Sequence, residues 1–255
     1  MTRLKQFINE EMPVRKYSTP RSKKISEMEA KDIILKKCKK SMELEKRTGI
    51  RLIRGTKESG DFLFSQPSKG QPRKSANTEN YITLLVDHIL PSWKNYPDRS
   101  KSLVCHTNKK LYFNSVYGST TYAVFPFDDS SIGICPDDDW WGSFDETLYP
   151  KDVPGFNTLL EELFGLNDNI TYQELKKILN TVTPPLDSKT FKSFTKGNFL
   201  TYLDVLLSPI KNNFKLIKTG GRLPTKIREA WTDGDSILIH NDVFEMFFNS
   251  ISDSI

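Results

Sequence analysis

Residues 102–136, SLVCHTNKKLYFNSVYGSTTYAVFPFDDSSIGICP, decide how the chain is read. They predict a strand, a short polar turn, a helix and two further strands. The turn carries Cys105, His106, Thr107 and Asn108, all small or polar, directly after an apolar run. A site is commonly built where a strand ends and a helix begins, because the first helical turn leaves backbone N–H groups free for a ligand.

Working outward, 27% of the residues are charged and 37% hydrophobic, an ordinary balance for a globular protein with a real core. No run of about 18 apolar residues exists, so no membrane helix is expected. Three widely spaced cysteines, Cys38, Cys105 and Cys135, suit a reducing cytosol and have no metal-ligand spacing. These features predict an intracellular chain with no membrane partner and no metal site. The net charge of +5 is uneven: residues 1–50 hold 14 Lys and Arg against 7 Asp and Glu, while the remainder is close to neutral. The basic character is thus assigned to the N-terminal segment, as a solvated arm or one that touches nucleic acid.

Residues 1–25 form a flexible basic arm in this reading, since Pro13 and Pro20 break any long helix. Its start resembles the packaging peptides of internal capsid proteins of large tailed phages, cut after an apolar-x-Glu triplet such as Ile8-Asn9-Glu10. That resemblance implies packaging in a virion and delivery to the host cytoplasm. Ser26 and Glu29 form a capping box for a lysine-rich helix that stops at Gly49. GIRLIRGT (49–56) then alternates as a strand, with Arg54 near its end. Arg54 either snorkels to water or aims its planar fork at a phosphate or carboxylate. The polar loop after it ends in Arg73, Ser75 and Asn77, a dense set of donors for an anion.

Asp137-Asp138-Asp139 is read as a helix N-terminus rather than a metal site. Residues 155–211 are expected to be a helical block. Near the end, Ile227–Thr232 and Ser236–His240 read as strands, and Asp233-Gly234 between them predicts a hairpin. Glu229 lies on the first of these. The expected class is α+β, a mixed sheet split into two halves and flanked by helices, with a basic helical N-terminal segment, all in one domain over 26–255.

An arginine on an early strand, a polar strand–turn–helix and a glutamate on a late strand follow one another here as Arg54, Leu103–Thr107 and Glu229. That order resembles the cholera-toxin-like ADP-ribosyltransferases, with the arginine, serine/threonine and glutamate motifs in sequence. Cys105 and His106 replace the first two polar residues of the central pattern, and Thr107 keeps a hydroxyl. The resemblance implies an ADP-ribosyltransferase-like fold and NAD as substrate. It makes Glu229 catalytic, supporting the oxocarbenium-like ribose, with Arg54 holding the diphosphate. Arg73, Ser75, Asn77, Ser102 and Thr107 would complete the NAD site. The acceptor would be a host protein or nucleic acid. Ile227 stands where arginine-modifying members carry Glu or Gln, which points away from an arginine target and leaves NAD hydrolysis open. The competing readings are a non-enzymatic virion or nucleic-acid-associated protein, and a metal-dependent nuclease using Asp137, Asp138 or Asp139.

Overall fold

A computed structural model describes residues 22–70, 72, 83–108, 120–140, 142–144, 173 and 199–252. Its centre is one nine-stranded sheet. The strands are β1 (Ser22–Lys24), β2 (Arg51–Thr56), β3 (Phe62–Ser65), β4 (Leu103–Asn108), β5 (Thr120–Pro126), β6 (Ser131–Ile134), β7 (Lys215–Lys218), β8 (Glu229–Thr232) and β9 (Ser236–His240). Their order in the sheet is β1-β3-β9-β5-β2-β4-β8-β6-β7. The helices are α1 (Glu27–Lys37), α2 (Lys39–Thr48), α3 (Phe199–Leu206) and α4 (Asn241–Ser252), with a π-helical turn at Leu85–Ile89.

Every pairing in the sheet is antiparallel. This corrects the expected class: the described chain is mainly β, not an α+β protein with a split, mixed sheet flanked by helices. The turn expected at Cys105, His106, Thr107 and Asn108 is strand instead, because all four belong to β4 and its pairing with β2 runs to Asn108. β4 and β5 run the same way, but β2 is interposed between them and pairs antiparallel with both. The N-terminal part also differs, because its first described element is the edge strand β1 rather than a basic helix. Of the helical block at 155–211, the described part includes α3; most of the rest, and residues 1–21 of the arm, lie outside the described residues.

The sheet is bent. Three residues link Thr232 of β8 to Ser236 of β9, and four backbone steps reach about 13–14 Å. Four inter-strand steps separate those strands in the sheet order, about 19 Å if it were flat. The connection from β5 to β6 crosses beside it, with Phe127 N–H donating to Asp235 O at 2.8 Å and Thr232 Oγ1 to Ser131 O at 2.8 Å. Asp233-Gly234 therefore makes no hairpin: both flanking strands form, but each pairs elsewhere. Gly234 is needed because a side chain there would strike the Ser130 hydroxyl.

Alternation divides the buried residues between two faces. One face carries Leu52, Leu63, Cys105, Tyr122, Val124, Ile134, Ala230 and Leu238, packed as one core. The other carries Ala123, Phe125, Ile237 and Ile239, covered by Ala30, Ile34, Cys38 and Met42 of the first two helices and by Phe244, Phe247 and Ile251 of α4. Ser26 caps α1 as expected, its Oγ accepting from Glu29 N at 3.1 Å. The expected single helix breaks at Cys38, where the Asp128 side chain takes the Lys40 N–H at 2.9 Å and Asp128 N–H bonds Lys37 O. Gly49 ends α2 in the left-handed region, φ 65°.

Candidate functional site

Glu229 begins β8 and lies directly opposite His106 of β4, which in turn lies opposite Ile53 of β2. Directly opposed residues share a face, so the Glu229 side chain projects to the side of Ile53 and Ala123. There it is buried. Glu229 Oε1 faces Arg99 Nη1 at 2.5 Å, and Oε2 accepts from Trp140 N–H at 3.3 Å. The Arg99 guanidinium lies over the Trp140 ring at 4.6 Å and 5.8 Å from that of Trp231. Arginine suits this place because its flat, weakly hydrated cation stacks on indoles while it pairs with a carboxylate.

Arg99 is itself held from behind. Asp87, at the π-helical turn, accepts the N–H groups of Arg99 at 2.7 Å and Ser100 at 2.8 Å. Burial pushes the Asp87 carboxyl above its ordinary value, and the hydrogen bonds from Ser100 and Arg99 oppose that in part. The native state then holds a proton more tightly than the unfolded chain does. Its contribution to stability is full below the unfolded value, about pH 4, and is lost as pH rises through the raised native value. Replacing Asp87 by Asn removes the titration, so urea midpoints measured from pH 4 upward will fall less steeply with pH in the variant.

The wall of the site is aromatic. Trp93 contacts Tyr96, Trp140, Phe144, Phe214 and Trp231 with ring centroids 5.0–6.4 Å apart. Two indole N–H groups find acceptors, Trp93 donating to Leu207 O at 2.8 Å and Trp231 to Pro97 O at 2.9 Å, whereas the buried Trp140 Nε1 has none among the described residues. Gly133, opposite Trp231 on β6, leaves room for that ring, since a Cβ there would lie inside the indole. Cys135 sits beside Glu229, where burial and the carboxylate push its thiol well above the ordinary value, so it is inert as a nucleophile. At the open rim, His106 Nε2 lies 3.2 Å from Asp138 O and Arg228 Nη1 lies 3.8 Å from Asp137 Oδ1.

The other residues expected at the site are placed apart from Glu229 or are engaged in structure. Arg54 pairs across from Tyr122 and lies on the opposite face of the sheet from Glu229, with Leu52 and Cys105. It is half-buried, its Nη1 donates to Val104 O at 2.7 Å, and burial lowers its pKa. Arg54 and Glu229 are therefore not brought together on one side of the sheet. Thr107 is buried; its hydroxyl donates to Lys226 O and accepts from Arg228 N–H, both at 3.0 Å, clamping the chain before β8 onto β4. Ser102 donates to Asp98 O at 2.6 Å, closing the turn that carries Arg99. Arg73, Ser75 and Asn77 lie outside the described residues. Asp139 caps the short turn Gly142–Phe144, accepting from Gly142 N–H at 2.8 Å.

The sequence reading missed Arg99, Trp140 and His106 as neighbours of Glu229. Arg99 is followed by a run that begins a strand, and nothing local marks it as a partner of a carboxylate 130 residues later. Among the described residues no cluster of three or more His, Cys, Asp or Glu side chains is placed to hold a metal ion. No helix among them is long and apolar enough to cross a membrane. A recess between α2 and the sheet, lined in part by Ser41, Leu44, Leu52 and Leu223, has a volume of about 20 Å³, room for about one water. No family model, curated protein or solved structure matches the chain.

Proposed function

We propose that the chain transfers ADP-ribose from NAD to a macromolecular acceptor, with Glu229 stabilising positive charge on the ribose as the bond to nicotinamide breaks. The observation that supports this most is the adjacency of β2, β4 and β8, which sets three sequence-distant motif segments side by side and puts His106 opposite Glu229. A site assembled from such segments requires them to meet in space.

The geometry also changes the roles within the reading. His106, rather than Thr107, is the β4 residue beside the carboxylate, and it stands at the rim where a ribose would enter. Arg54 drops out of the set that shares a ligand with Glu229, because it lies across the sheet. The carboxylate keeps acceptor capacity: of its roughly four lone-pair positions, one takes the Trp140 amide and another faces Arg99. A ribose hydroxyl can be accepted at a remaining position. Fixed negative charge in a site closed by indoles acts strongly on a developing cation, because little water competes.

The test is incubation of purified protein with labelled NAD and a bacterial lysate, beside Glu229→Gln. The amide keeps the shape and removes the charge, so turnover will fall by about 100-fold or more, measured at a temperature where far-UV circular dichroism shows both proteins folded, since the buried Arg99 loses its counter-charge. Equal turnover by the two proteins would reject Glu229. Absence of turnover in the parent would favour a second reading, a non-enzymatic structural protein. The observation behind that reading is the closure of Glu229, 4% exposed, behind Trp140 and against Arg99.

A further inference from the structure

Between Val205 and Arg228 the chain carries Lys211, Lys215, Lys218, Arg222, Lys226 and Arg228, and no Asp or Glu. The near-neutral average of residues 51–255 conceals this run. All but Arg228 are exposed. Lys211 precedes β7, Lys215 and Lys218 lie on it and project to its two faces, Arg222 follows the turn after it, and Lys226 and Arg228 lie on the segment leading into β8. β7 is the last strand of the sheet and pairs on one side only, with β6, among the described residues.

This cationic segment is pinned to the fold at several points. Asn212 donates to Leu206 O and Ser208 O at 3.0 and 2.9 Å. Thr219 donates to Phe127 O at 3.0 Å, and its N–H bonds Ser130 O at 2.9 Å. Thr107 clamps Lys226 and Arg228. Lys218 spends its ammonium on neutral groups, Asp129 O and Ser131 Oγ. Of the acids near this edge, Asp129 pairs with Lys40 at 2.5 Å and Asp137 with Arg228, while Asp233 lies within electrostatic reach of Lys218.

We propose that the β7 edge, with the turn and segment that follow it, is a binding surface for the phosphodiester backbone of nucleic acid. Charge complementarity carries the choice of partner: five exposed cations on and around a pinned edge, in a stretch of sequence without an acid, form a footprint that reads phosphates without reading bases. Leu216 on β7 and Ile227 before β8 are each 38% exposed, and the more exposed Val205 and Ile210 precede the edge. The surface goes beyond the transfer reaction and does not depend on it.

The experiment uses the full chain and fluorescence anisotropy of labelled single-stranded DNA and RNA 20-mers across a salt series. Lys211, Lys215, Arg222 and Lys226 are replaced together by Gln. Each phosphate contact contributes about 0.7 to the salt slope for a single strand, so the slope will shrink by up to about 3 and affinity at low salt by more than about tenfold. A control replaces Lys24, Lys36, Lys37 and Lys39, exposed cations in the N-terminal strand and helices, by Gln. Parent and surface variant binding alike, or the control losing as much as the surface variant, would overturn the proposal. So would polyglutamate competing as well as the oligonucleotide at equal charge concentration.

Discussion

Arg99→Met will destabilise the fold by about 3–5 kcal/mol, because it strands the Glu229 carboxylate in a buried place without its cation. The Arg99 and Glu229 side chains are 8% and 4% exposed, so water cannot replace the lost partner. Methionine keeps much of the volume against Trp140 and Trp231, which separates loss of charge from loss of packing. Pairing Arg99→Met with Glu229→Leu will recover most of the loss, since removing both charges also removes the cost of burying them. Urea unfolding of the four proteins gives the coupling directly. A double variant no more stable than Arg99→Met would show that the ion pair is not what Arg99 supplies. The same cycle bears on function, because a stable double variant with no NAD turnover ties activity to the Arg99–Glu229 pair rather than to the fold.

Trp93→Ala will cost a comparable amount, about 3–5 kcal/mol, the range for truncating a large buried aromatic. Trp93 is 2% exposed and is the ring that joins Tyr96, Trp140, Phe144, Phe214 and Trp231. Its removal opens a cavity directly behind the indoles that enclose Arg99. Trp93→Phe keeps a ring and loses the hydrogen bond to Leu207 O, so it will cost less, and the difference measures packing against hydrogen bonding. If Trp93→Ala changed the urea midpoint by less than the Phe variant, the aromatic cluster would not be the structural support of this face.

The local elements were legible because local physics makes them. Ser26 accepts the early helical N–H wherever α1 packs, and Gly49 reaches φ 65° without a Cβ penalty. Largely apolar runs buried on both faces mark β5 and β9, and the two-residue period of a strand places Leu52 and Arg54 of β2 on one side as the sequence indicates. The cationic run at 205–228 was equally legible, but averaging charge over the rest of the chain hid it.

Partner choice was not legible. Asp233-Gly234 reads as a hairpin because both flanks favour strands, yet β8 finds β4 and β6 while β9 finds β3 and β5. The break of the N-terminal helix at Cys38 comes from Asp128, a residue on a distant loop. The resemblance grouped Arg54 with Glu229, but alternation within a strand says nothing about register between strands. Moving one residue along a strand changes the face, and the register here sets them on opposite sides.

The sequence by itself determined where the described helices begin and end to within a break, that the segments of β2, β5, β6, β8 and β9 extend, and that Glu229 lies on a late strand; it did not show β1, β3 or β7. Capping, glycine conformation and two-residue alternation act over a few residues and need no knowledge of the whole. Tertiary structure alone decided that the sheet is a single antiparallel one, bent so that β8 and β9 are linked by three residues. It alone gave Glu229 an amide donor and a cation stacked on two indoles. Those outcomes depend on which distant surfaces bury together, and the free energy of that burial belongs to no single stretch of chain.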